Sequence, residues 1–369
     1  MRLNTLNLLN FRNYTTLTFK PGEGLNFLFG FNAQGKTNLV ESIYFLATAR
    51  SYRSNRDQDL LRWESQYFKV HGLITNRSRQ TELEIDYQEN GKKTVKLSGV
   101  KQSRLPDYLG SLSVVLFSPE ELAIVKGSPR ERRRFLDMQI SQLSKSYAFL
   151  LIQYYKILSQ RNMLLKSCRE KPQNKGQLEV WDSQLIANGS KILAKRFEII
   201  KKLAFLARSS HRKIAAGKEN LEIKYLCSLQ AKPDMALEEI ENSFRVKLEE
   251  LRQEEIGRGL TLAGPHRDDL VFYLNGSDVK SFGSQGQQRS TALSLKLAEL
   301  ELHYAVSGDY PVLLLDDVLS ELDSLRRHYL LASVQDKVQT FITATNLEHI
   351  DQRIIADAKV FMVDAGKLK

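Results

Sequence analysis

Cysteine is scarce in this sequence, with only Cys168 and Cys227 among 369 residues. Their spacing matches neither a metal-binding pattern nor a disulfide framework, which favours a reducing compartment. The first residues lack the features of a signal peptide, and no apolar run approaches the roughly 20 residues needed to span a membrane. These absences argue against a secreted or membrane-embedded protein, and we expect a cytoplasmic protein with no membrane partner.

Internal repeats, low-complexity tracts and the signatures of a helix-turn-helix, zinc finger or RRM domain are also missing. What the sequence has in excess is positive charge: 54 Lys and Arg stand against 43 Asp and Glu, a formal net charge of +11. A basic balance favours nucleic acid or another anionic surface as a partner, although many soluble proteins are basic without binding DNA. The length is enough for two or three structural units with ample cores.

The strongest motif is a phosphate loop at residues 30–37, which follow the pattern G-x-x-x-x-G-K-[ST]. A short apolar strand at residues 25–29 precedes it and a helix over residues 37–49 follows, which is the context this motif requires. Glycine lets the backbone wrap around the phosphates, Lys36 adds a positive charge, and the Thr37 hydroxyl is placed to hold Mg²⁺. We therefore expect a nucleoside triphosphate to bind Gly30, Phe31, Asn32, Ala33, Gln34, Gly35, Lys36 and Thr37. A plain glycine turn between strand and helix is the minor alternative.

The hydrophobic pattern divides the chain into three parts. Residues 1–127 are mainly strands around one helix, residues 128–256 are mainly helical, and residues 257–369 return to strands with helices between them. Ser128-Pro129 starts a long helical region, and a polar stretch at 171–176 separates it from a second helix over 178–216, which predicts an antiparallel arm. The fold class is therefore α/β, with the two ends of the chain forming one domain and the helical arm inserted between them. The predicted strands are 2–10, 15–19, 67–75, 82–87, 94–97, 111–117, 221–227, 270–274, 312–315 and 338–343, and a charged helix is predicted at 235–255.

A second motif places two carboxylates after the apolar run Val312–Leu315. In P-loop NTPases the first acid of such a strand, here Asp316, holds Mg²⁺. The next acid, Asp317, is then placed to orient or deprotonate the attacking water. An apolar run that ends in Asp-Asp is by itself more often a strand that leads into a turn, but it is the expected partner of a phosphate loop.

The segment from Ser281 to Arg289 lies between these motifs and precedes a helix predicted over 290–304. On its own it reads as a flexible, Gln-rich loop with a helix cap. In this context it resembles the signature motif of ABC-type ATPases, with Ser284, Gly286 and Gln287 at the matching positions. In that motif the hydroxyl, the backbone N–H and the helix dipole contact the γ-phosphate of ATP held by another subunit. The resemblance implies a dimer with two ATP molecules at the interface, and residues 318–323 resemble the D-loop that crosses it.

Nearly 280 residues separate Lys36 from Asp316, a layout that resembles the SMC and Rad50 group of ABC-type ATPases. Within that group the sequence resembles the RecF family of bacterial recombination mediators over essentially its whole length. The residues that carry the resemblance are 10–14, 30–38, 50–53, 126–129 with 132–134, 263–269 and 282–289. The resemblance implies an ABC/SMC-type ATPase head built from N- and C-terminal lobes with an inserted helical arm. It also implies an ATP- and Mg²⁺-dependent homodimer on duplex or gapped DNA, slow ATP hydrolysis, and action with RecO and RecR in loading RecA.

Some positions depart from the general ABC pattern. Asp317 stands where a glutamate is usual, and a shorter side chain suits slow turnover. No clear glutamine marks the Q-loop, whose place falls to residues 117–120. The switch histidine is missing after residues 341–346, which leaves Thr343 or Thr345 as substitutes. His266 is interpreted as structural.

DNA contacts are expected from two runs of arginine. One comprises Arg50, Arg53 and Arg56, and the other Arg130, Arg132, Arg133 and Arg134. A charge run is usually only a solvated face, and one of the first three arginines is an alternative contact to the nucleotide. Contacts to phosphates give affinity without sequence preference.

Two other functions stay open for this sequence. One is another SMC- or Rad50-like DNA clamp. The other is a transporter-type ATPase subunit, which fits less well because its ATPase needs far fewer residues.

Overall fold

The computed structural model describes residues 1–77, 79–170, 176–347 and 350–369. The chain divides into two compact units: Met1–Leu122 together with Ala292–Lys369, and Ala123–Thr291. The strands are β1 (Arg2–Phe11), β2 (Tyr14–Phe19), β3 (Leu25–Phe29), β4 (Tyr67–Asn76), β5 (Arg79–Gln88), β6 (Lys93–Leu97), β7 (Val100–Lys101), β8 (Val114–Phe117), β9 (Leu221–Leu226), β10 (Asp269–Leu274), β11 (Ser277–Asp278), β12 (Val312–Leu315), β13 (Thr340–Ala344), β14 (Lys359–Asp364) and β15 (Lys367–Leu368). The helices are α1 (Lys36–Thr48), α2 (Leu105–Tyr108), α3 (Ala123–Lys126), α4 (Pro129–Leu143), α5 (Lys145–Glu170), α6 (Leu178–Ile214), α7 (Leu237–Arg258), α8 (Val279–Phe282), α9 (Gln285–Ser307), α10 (Ser324–Val334) and α11 (Gln352–Ala356).

The first unit is built on a six-stranded sheet with the order β15-β14-β3-β13-β12-β8. All neighbours except β14 and β15 pair in parallel. Every residue of β8 and β12 is buried, as expected for parallel strands that are covered on both faces. The sheet takes β3 and β8 from the first third of the chain and β12 to β15 from its end. This confirms that the two ends form one α/β unit.

A second, antiparallel sheet of the same unit has the order β2-β1-β4-β5-β6-β7. Helix α1 contributes to a common core with residues of both sheets, and eleven of its thirteen residues are buried. Phe11, Phe45 and Phe68 make aromatic contacts at the centre, with ring centroids 5.5 to 6.1 Å apart. The N-terminal end of α1, with the phosphate loop that precedes it, is therefore anchored by one of the best-packed helices of the unit.

The second unit contains helices α4 to α7 and a three-stranded sheet with the order β11-β10-β9. Strand β9 pairs with β10 over Leu221–Leu226 and Asp269–Leu274, and for this reason residues 257–291 belong to the same unit as the helices. The observed divisions, after residues 122 and 291, differ from the predicted boundaries at 127/128 and 256/257. The second division falls inside α9.

The predicted arm is partly corrected. Its first helix is not continuous, because Ser144 adopts extended backbone angles and separates α4 from α5. The Ser144 hydroxyl accepts a hydrogen bond from the backbone N–H of Tyr147 at 3.2 Å, so this residue starts the second helix. The predicted N-terminus at Ser128-Pro129 is confirmed, with a capping box between Ser128 and Glu131. The polar loop predicted at 171–176 lies almost entirely outside the described residues.

A buried arginine joins the elements of the second unit. The guanidinium of Arg196, on α6, donates hydrogen bonds to Asp137 of α4 at 2.7 Å, to the hydroxyl of Tyr225 on β9 at 2.9 Å, and to the carbonyl of Pro265 at 2.7 Å. Tyr147 also donates to the Asp137 carboxylate at 2.5 Å, and burial raises the pKa of this tyrosine. The charge of Arg196 is therefore matched by the carboxylate of Asp137 and by the neutral oxygens of the Tyr225 hydroxyl and the Pro265 carbonyl.

Replacing Arg196 with Met should destabilise the second unit by about 3–5 kcal/mol, because the Asp137 carboxylate would stay buried without its cation. Lys201→Met is the matched control, since Lys201 is exposed on the same helix and should change stability by no more than about 0.5 kcal/mol. Urea unfolding in a Trp63→Phe background leaves Trp181 of α6 as the reporter of this unit. Equal midpoints for the two variants would contradict a structural role for Arg196.

Candidate nucleotide site

The phosphate loop connects β3 to α1, and its glycines cannot be replaced without strain. Gly35 has φ +116°, and a Cβ there would lie 2.6 Å from Asn13 Nδ2. Gly30 has φ +150°, and a Cβ there would collide with the carbonyl oxygen of Val363. Among the described residues no side chain caps the start of α1 and no acidic residue lies in its first turn. An uncapped helix N-terminus behind a glycine loop is the arrangement that binds phosphate.

Lys36 lies at the start of α1 and is largely buried. Its Nζ donates to the carbonyl oxygens of Gly30 and Phe31, at 2.6 and 2.7 Å. Desolvation lowers the pKa of Lys36, and the nearby carboxylates of Asp317 and Asp316 oppose that shift. The ammonium is thus held inside the loop, where it can meet the charge of a bound phosphate.

Asp316 lies directly after β12, and three hydroxyl groups hold its carboxylate. Thr37 and Thr343 donate to Oδ1, each at 3.0 Å, and Tyr52 donates to Oδ2 at 2.6 Å. Burial and the neighbouring carboxylate raise the pKa of Tyr52, which keeps its phenol protonated as a donor. The Thr37 and Asp316 oxygens are hard ligands in direct contact, and they fit Mg²⁺, which is usually bound by few carboxylates together with substrate phosphates. The described residues hold no group of three or more His, Cys, Asp or Glu side chains suited to a metal.

Asp317 follows with a left-handed backbone, at φ +55°. Its N–H donates to the Thr343 hydroxyl at 2.8 Å, and its carbonyl oxygen accepts from the Ser320 hydroxyl at 2.8 Å. Such a conformation costs a non-glycine residue about 1–3 kcal/mol and is found where the surrounding structure enforces it. The Asp317 side chain is exposed and lines a cavity of about 170 Å³ with Ser320, Thr343 and Thr345. Both threonines suggested as substitutes for a switch histidine therefore lie beside this carboxylate.

Residues 12–14 form a support for the phosphate loop that motif reading by itself did not identify. Asn13 donates to the Gln34 carbonyl at 3.0 Å and accepts from Asn38 at 2.8 Å, and Tyr14 donates to the Gly35 carbonyl at 3.0 Å. This segment is among those that carry the family resemblance, and its contacts show what it does. Its role follows from the turn between β1 and β2, which faces the loop.

In the second unit, Ser284 and Gln287 cap the start of α9 reciprocally. The Ser284 N–H donates to Gln287 Oε1 at 2.9 Å, and the Gln287 N–H donates to Ser284 Oγ at 3.2 Å. This capping box starts the helix at Gln285, so the start predicted at residue 290 is wrong by five residues. Ser284 is exposed and Gly286 lies in the first turn, as the signature resemblance implies.

The arginine runs separate into exposed and structural members. Arg50, Arg53, Arg56, Arg130 and Arg134 are exposed. Arg53 donates to Asn38 at 2.9 Å and contacts Glu41 at 3.3 Å, both on α1. Arg132 is buried in a two-pronged ion pair with Asp269, at 2.7 and 2.8 Å, and Arg133 is half-buried and donates to the Asp268 carbonyl at 2.7 Å. Arg132 is therefore corrected from a DNA contact to a structural residue, because its guanidinium is already paired away from solvent.

His266 has the contacts of a structural residue. Its Nδ1 lies 2.7 Å from the hydroxyl of Tyr154 and its Nε2 lies 3.2 Å from the carbonyl oxygen of Thr261. Burial lowers the pKa of His266 to about 3. A neutral, fully engaged imidazole of this kind supports the structural interpretation.

Comparison with known proteins agrees with the sequence resemblance. The family model described as RecF/RecN/SMC N terminal domain matches residues 2–369. DNA replication and repair protein RecF of Oceanobacillus iheyensis is 48% identical over 367 residues, 99% of this chain and 99% of the relative. The protein of the same name from Halalkalibacterium halodurans is 46% identical over 369 residues, 100% of this chain and 99% of the relative.

Comparison with solved structures also shows similarity to RecF. The recombination mediator protein RecF bound to ATP, in the RecFOR pathway, superimposes with a TM-score of 0.91 at 36% identity, covering 100% of this chain and 96% of that one. An Smc head bound to the C-winged helix domain of ScpA superimposes with a TM-score of 0.57 at 14% identity, covering 100% and 96%, and supports the fold alone. Over the part of the chain that the structure describes, no helix is both long enough and apolar enough to cross a membrane.

Replacing Gly35 with Ala should weaken nucleotide binding at least about tenfold, because left-handed geometry costs an L-residue about 1–2 kcal/mol and the new Cβ meets Asn13. Gly24→Ala in the same unit is the control, since a Cβ there meets nothing within 4 Å. Titration with a fluorescent ATP analogue measures both affinities. Equal affinities in the two variants would show that the loop does not need its observed geometry.

Proposed function

We propose that this chain, which belongs to the RecF family within the group of RecF, RecN and SMC N-terminal domains, is an ATP-dependent DNA-binding protein of recombinational repair. The observation that carries the proposal is the contact between Thr37 at the phosphate loop and Asp316 at the end of β12, with Asp317 beside it. ATP drives formation of a homodimer on duplex or gapped DNA in the cytoplasm. With RecO and RecR, the dimer promotes the loading of RecA at single-strand gaps.

Each residue of the nucleotide site has a separate task in this proposal. Lys36 and the start of α1 neutralise the γ-phosphate. Thr37 and Asp316 would hold Mg²⁺, which supplies further positive charge to the phosphates. Asp317 orients the attacking water and accepts its proton, and Thr343 fixes the backbone of Asp317 through its hydroxyl. Hydrolysis is slow because the short Asp317 side chain reaches less far than a glutamate.

The proposed dimer rests on the resemblance of residues 281–289 to the ABC signature motif. In that motif the serine contacts ATP held by another subunit, so we assign Ser284 to the nucleotide of a second copy. Its exposed hydroxyl and the helix start at Gln285 offer hydrogen bonds and a positive dipole end to that γ-phosphate. ATP is then shared between two subunits, and its hydrolysis releases them.

For DNA binding we propose the exposed arginines Arg50, Arg56, Arg130 and Arg134, with Arg53 and Arg133 as partial contributors. Their guanidinium groups bind phosphates without reading sequence, in agreement with the excess of positive charge.

Two alternative functions remain to be weighed. A different DNA clamp of the SMC and Rad50 type would have the same chemistry at its nucleotide site. A transporter-type subunit is disfavoured, because the full-length relatives above are repair proteins.

Ser284→Arg should leave ATP binding to the monomer unchanged but prevent ATP-dependent dimerisation and hydrolysis, because the larger cation would occupy the place of the opposing γ-phosphate. Ser183→Arg, at an exposed position of α6 in the same unit, is the control and should dimerise normally. Sedimentation velocity with and without ATP measures the dimer, and a fluorescent ATP analogue measures monomer binding. Loss of monomer binding in Ser284→Arg would place Ser284 at the nucleotide of its own subunit and reject the shared-site dimer.

Asp317→Asn should slow ATP hydrolysis by about 10² to 10⁴, the usual contribution of a general base, and should trap the ATP-bound dimer on DNA. Asp316→Asn is the comparison variant and should instead weaken Mg²⁺-dependent nucleotide binding and dimerisation together. Single-turnover hydrolysis and dimer lifetime distinguish the two. Normal hydrolysis by Asp317→Asn would move the role of base elsewhere, with Glu120 and Glu321 as the next candidates.

A further inference from the structure

The most exposed large apolar side chains are concentrated at the motifs of the proposed ATP dimer. Among the described residues the four with the greatest exposure are Trp63, Leu325, Phe31 and Phe282, and the last three are 82%, 81% and 79% exposed. Phe31 is the second residue of the phosphate loop, Leu325 lies two residues after the D-loop segment, and Phe282 lies two residues before Ser284. Three exposed apolar side chains at the motifs of the proposed dimer are therefore available for contact with a partner.

The backbone that carries Phe31 is held in place. Its carbonyl oxygen accepts a hydrogen bond from Lys36 Nζ at 2.7 Å, and the same Nζ donates to the carbonyl oxygen of Gly30. Later in the loop, Asn13 and Tyr14 donate to the carbonyl oxygens of Gln34 and Gly35. The ring is therefore presented to solvent from a rigid loop. Burying an aromatic ring of this size in an interface removes about 150–250 Å² from water.

Phe282 is equally fixed with respect to Ser284. It ends the short helix α8, which is capped by Asp278. The Asp278 carboxylate accepts hydrogen bonds from the Lys280 N–H at 3.0 Å and the Ser281 hydroxyl at 2.8 Å. A Cβ on Gly283 would lie 2.5 Å from the Val279 carbonyl oxygen, so the chain between Phe282 and Ser284 is tightly packed. Gln288 of α9 donates to the same Val279 carbonyl at 3.2 Å and ties the two helices together.

We propose that Phe31 of one copy packs against Phe282 of a second copy of this chain, beside each of the two shared nucleotides. The proposal rests on the shared-site dimer of the proposed function and names the apolar contact that accompanies it. If Ser284 reaches the γ-phosphate held by the opposing phosphate loop, the Cα of Phe282 lies within about 7 Å of the Cα of the residue that contacts this phosphate, since a residue spans at most about 3.6 Å. Phe31 belongs to the loop that holds the same phosphate, so in the proposed dimer both exposed rings lie beside the shared nucleotide. Two-fold symmetry forms the contact twice in each dimer.

The proposed contact between Phe31 and Phe282 also gives a role to two exposed rings that lie next to a charged site. Two isolated aromatic contacts are too few to hold two subunits together without nucleotide. The protein therefore stays monomeric until the shared phosphates join the two copies. Once the copies are joined, the rings exclude water from the edge of the nucleotide site. The contact therefore adds to the stability of the ATP-bound state alone.

The test is a double-mutant cycle on the full chain, with Phe31→Ala, Phe282→Ala and the double variant. Dimer dissociation constants are measured by analytical ultracentrifugation with a non-hydrolysable ATP analogue, and monomer affinity with a fluorescent ATP analogue. We expect each single variant to weaken the dimer about 100-fold, because the substitution disrupts both symmetry-related ring pairs at about tenfold each. The double variant should be little worse than either single variant, because both remove the same pair. Phe205→Ala is the matched control: Phe205 is 74% exposed on α6, far along the chain from every motif, and its variant should dimerise normally.

Four results would overturn the proposed contact between Phe31 and Phe282. Unchanged dimers in the single variants, or effects that add independently in the double variant, reject the contact while the shared-site dimer stands. Weaker nucleotide binding by monomeric Phe31→Ala assigns the ring to the nucleotide of its own subunit. Absence of any dimer in the wild-type chain with the ATP analogue rejects the proposed function and the contact with it.

Discussion

The hydrogen bond between Thr37 and Asp316 depends on the parallel pairing of three strands. It joins residues 279 positions apart at 3.0 Å. Strand β13 lies between β3 and β12, with Ala344 opposite Phe29 and Ile342 opposite Leu315. The phosphate loop, Thr343 and Asp316 therefore emerge at one edge of the sheet. The remainder of the nucleotide site, including the placement of Asp317, follows from that register.

This dependence makes the two ends of the chain inseparable, because neither end holds a complete site. The unit inserted between them is organised differently, around buried charges on its helices. Arg196 contacts Asp137, while Arg161 pairs with Asp182 at 2.6 Å and with Glu255 at 2.7 Å. Buried pairs of this kind contribute geometric definition more than free energy, since desolvation offsets much of their attraction. Such a unit is suited to presenting the start of α9 in one conformation.

Local sequence signals predicted the secondary structure correctly where neighbouring residues in the chain decide the conformation. The strand at Val312–Leu315 and the helix start at Ser128-Pro129 occur as predicted. Predictions were wrong where two local choices are close in energy. Ser144 carries neither the Pro nor the Gly that normally marks a helix break, and the capping box of Ser284 and Gln287 was read as loop. The division after residue 291 reflects the pairing of β10 with β9, which no local pattern encodes.

The sequence by itself determined the chemistry of the nucleotide site, because eight consecutive residues supply the phosphate loop and two adjacent acids end a buried strand. Only the tertiary structure decided which groups hold those residues in place. Tyr52 and Thr343 donate hydrogen bonds to the Asp316 carboxylate, and Asn13 supports the phosphate loop. Arg132 is buried in an ion pair with Asp269 and so does not contribute to the basic surface. Each of these contacts joins segments that are distant in the chain. Their distances are set by strand register and packing, so periodicity and composition carry no information about them.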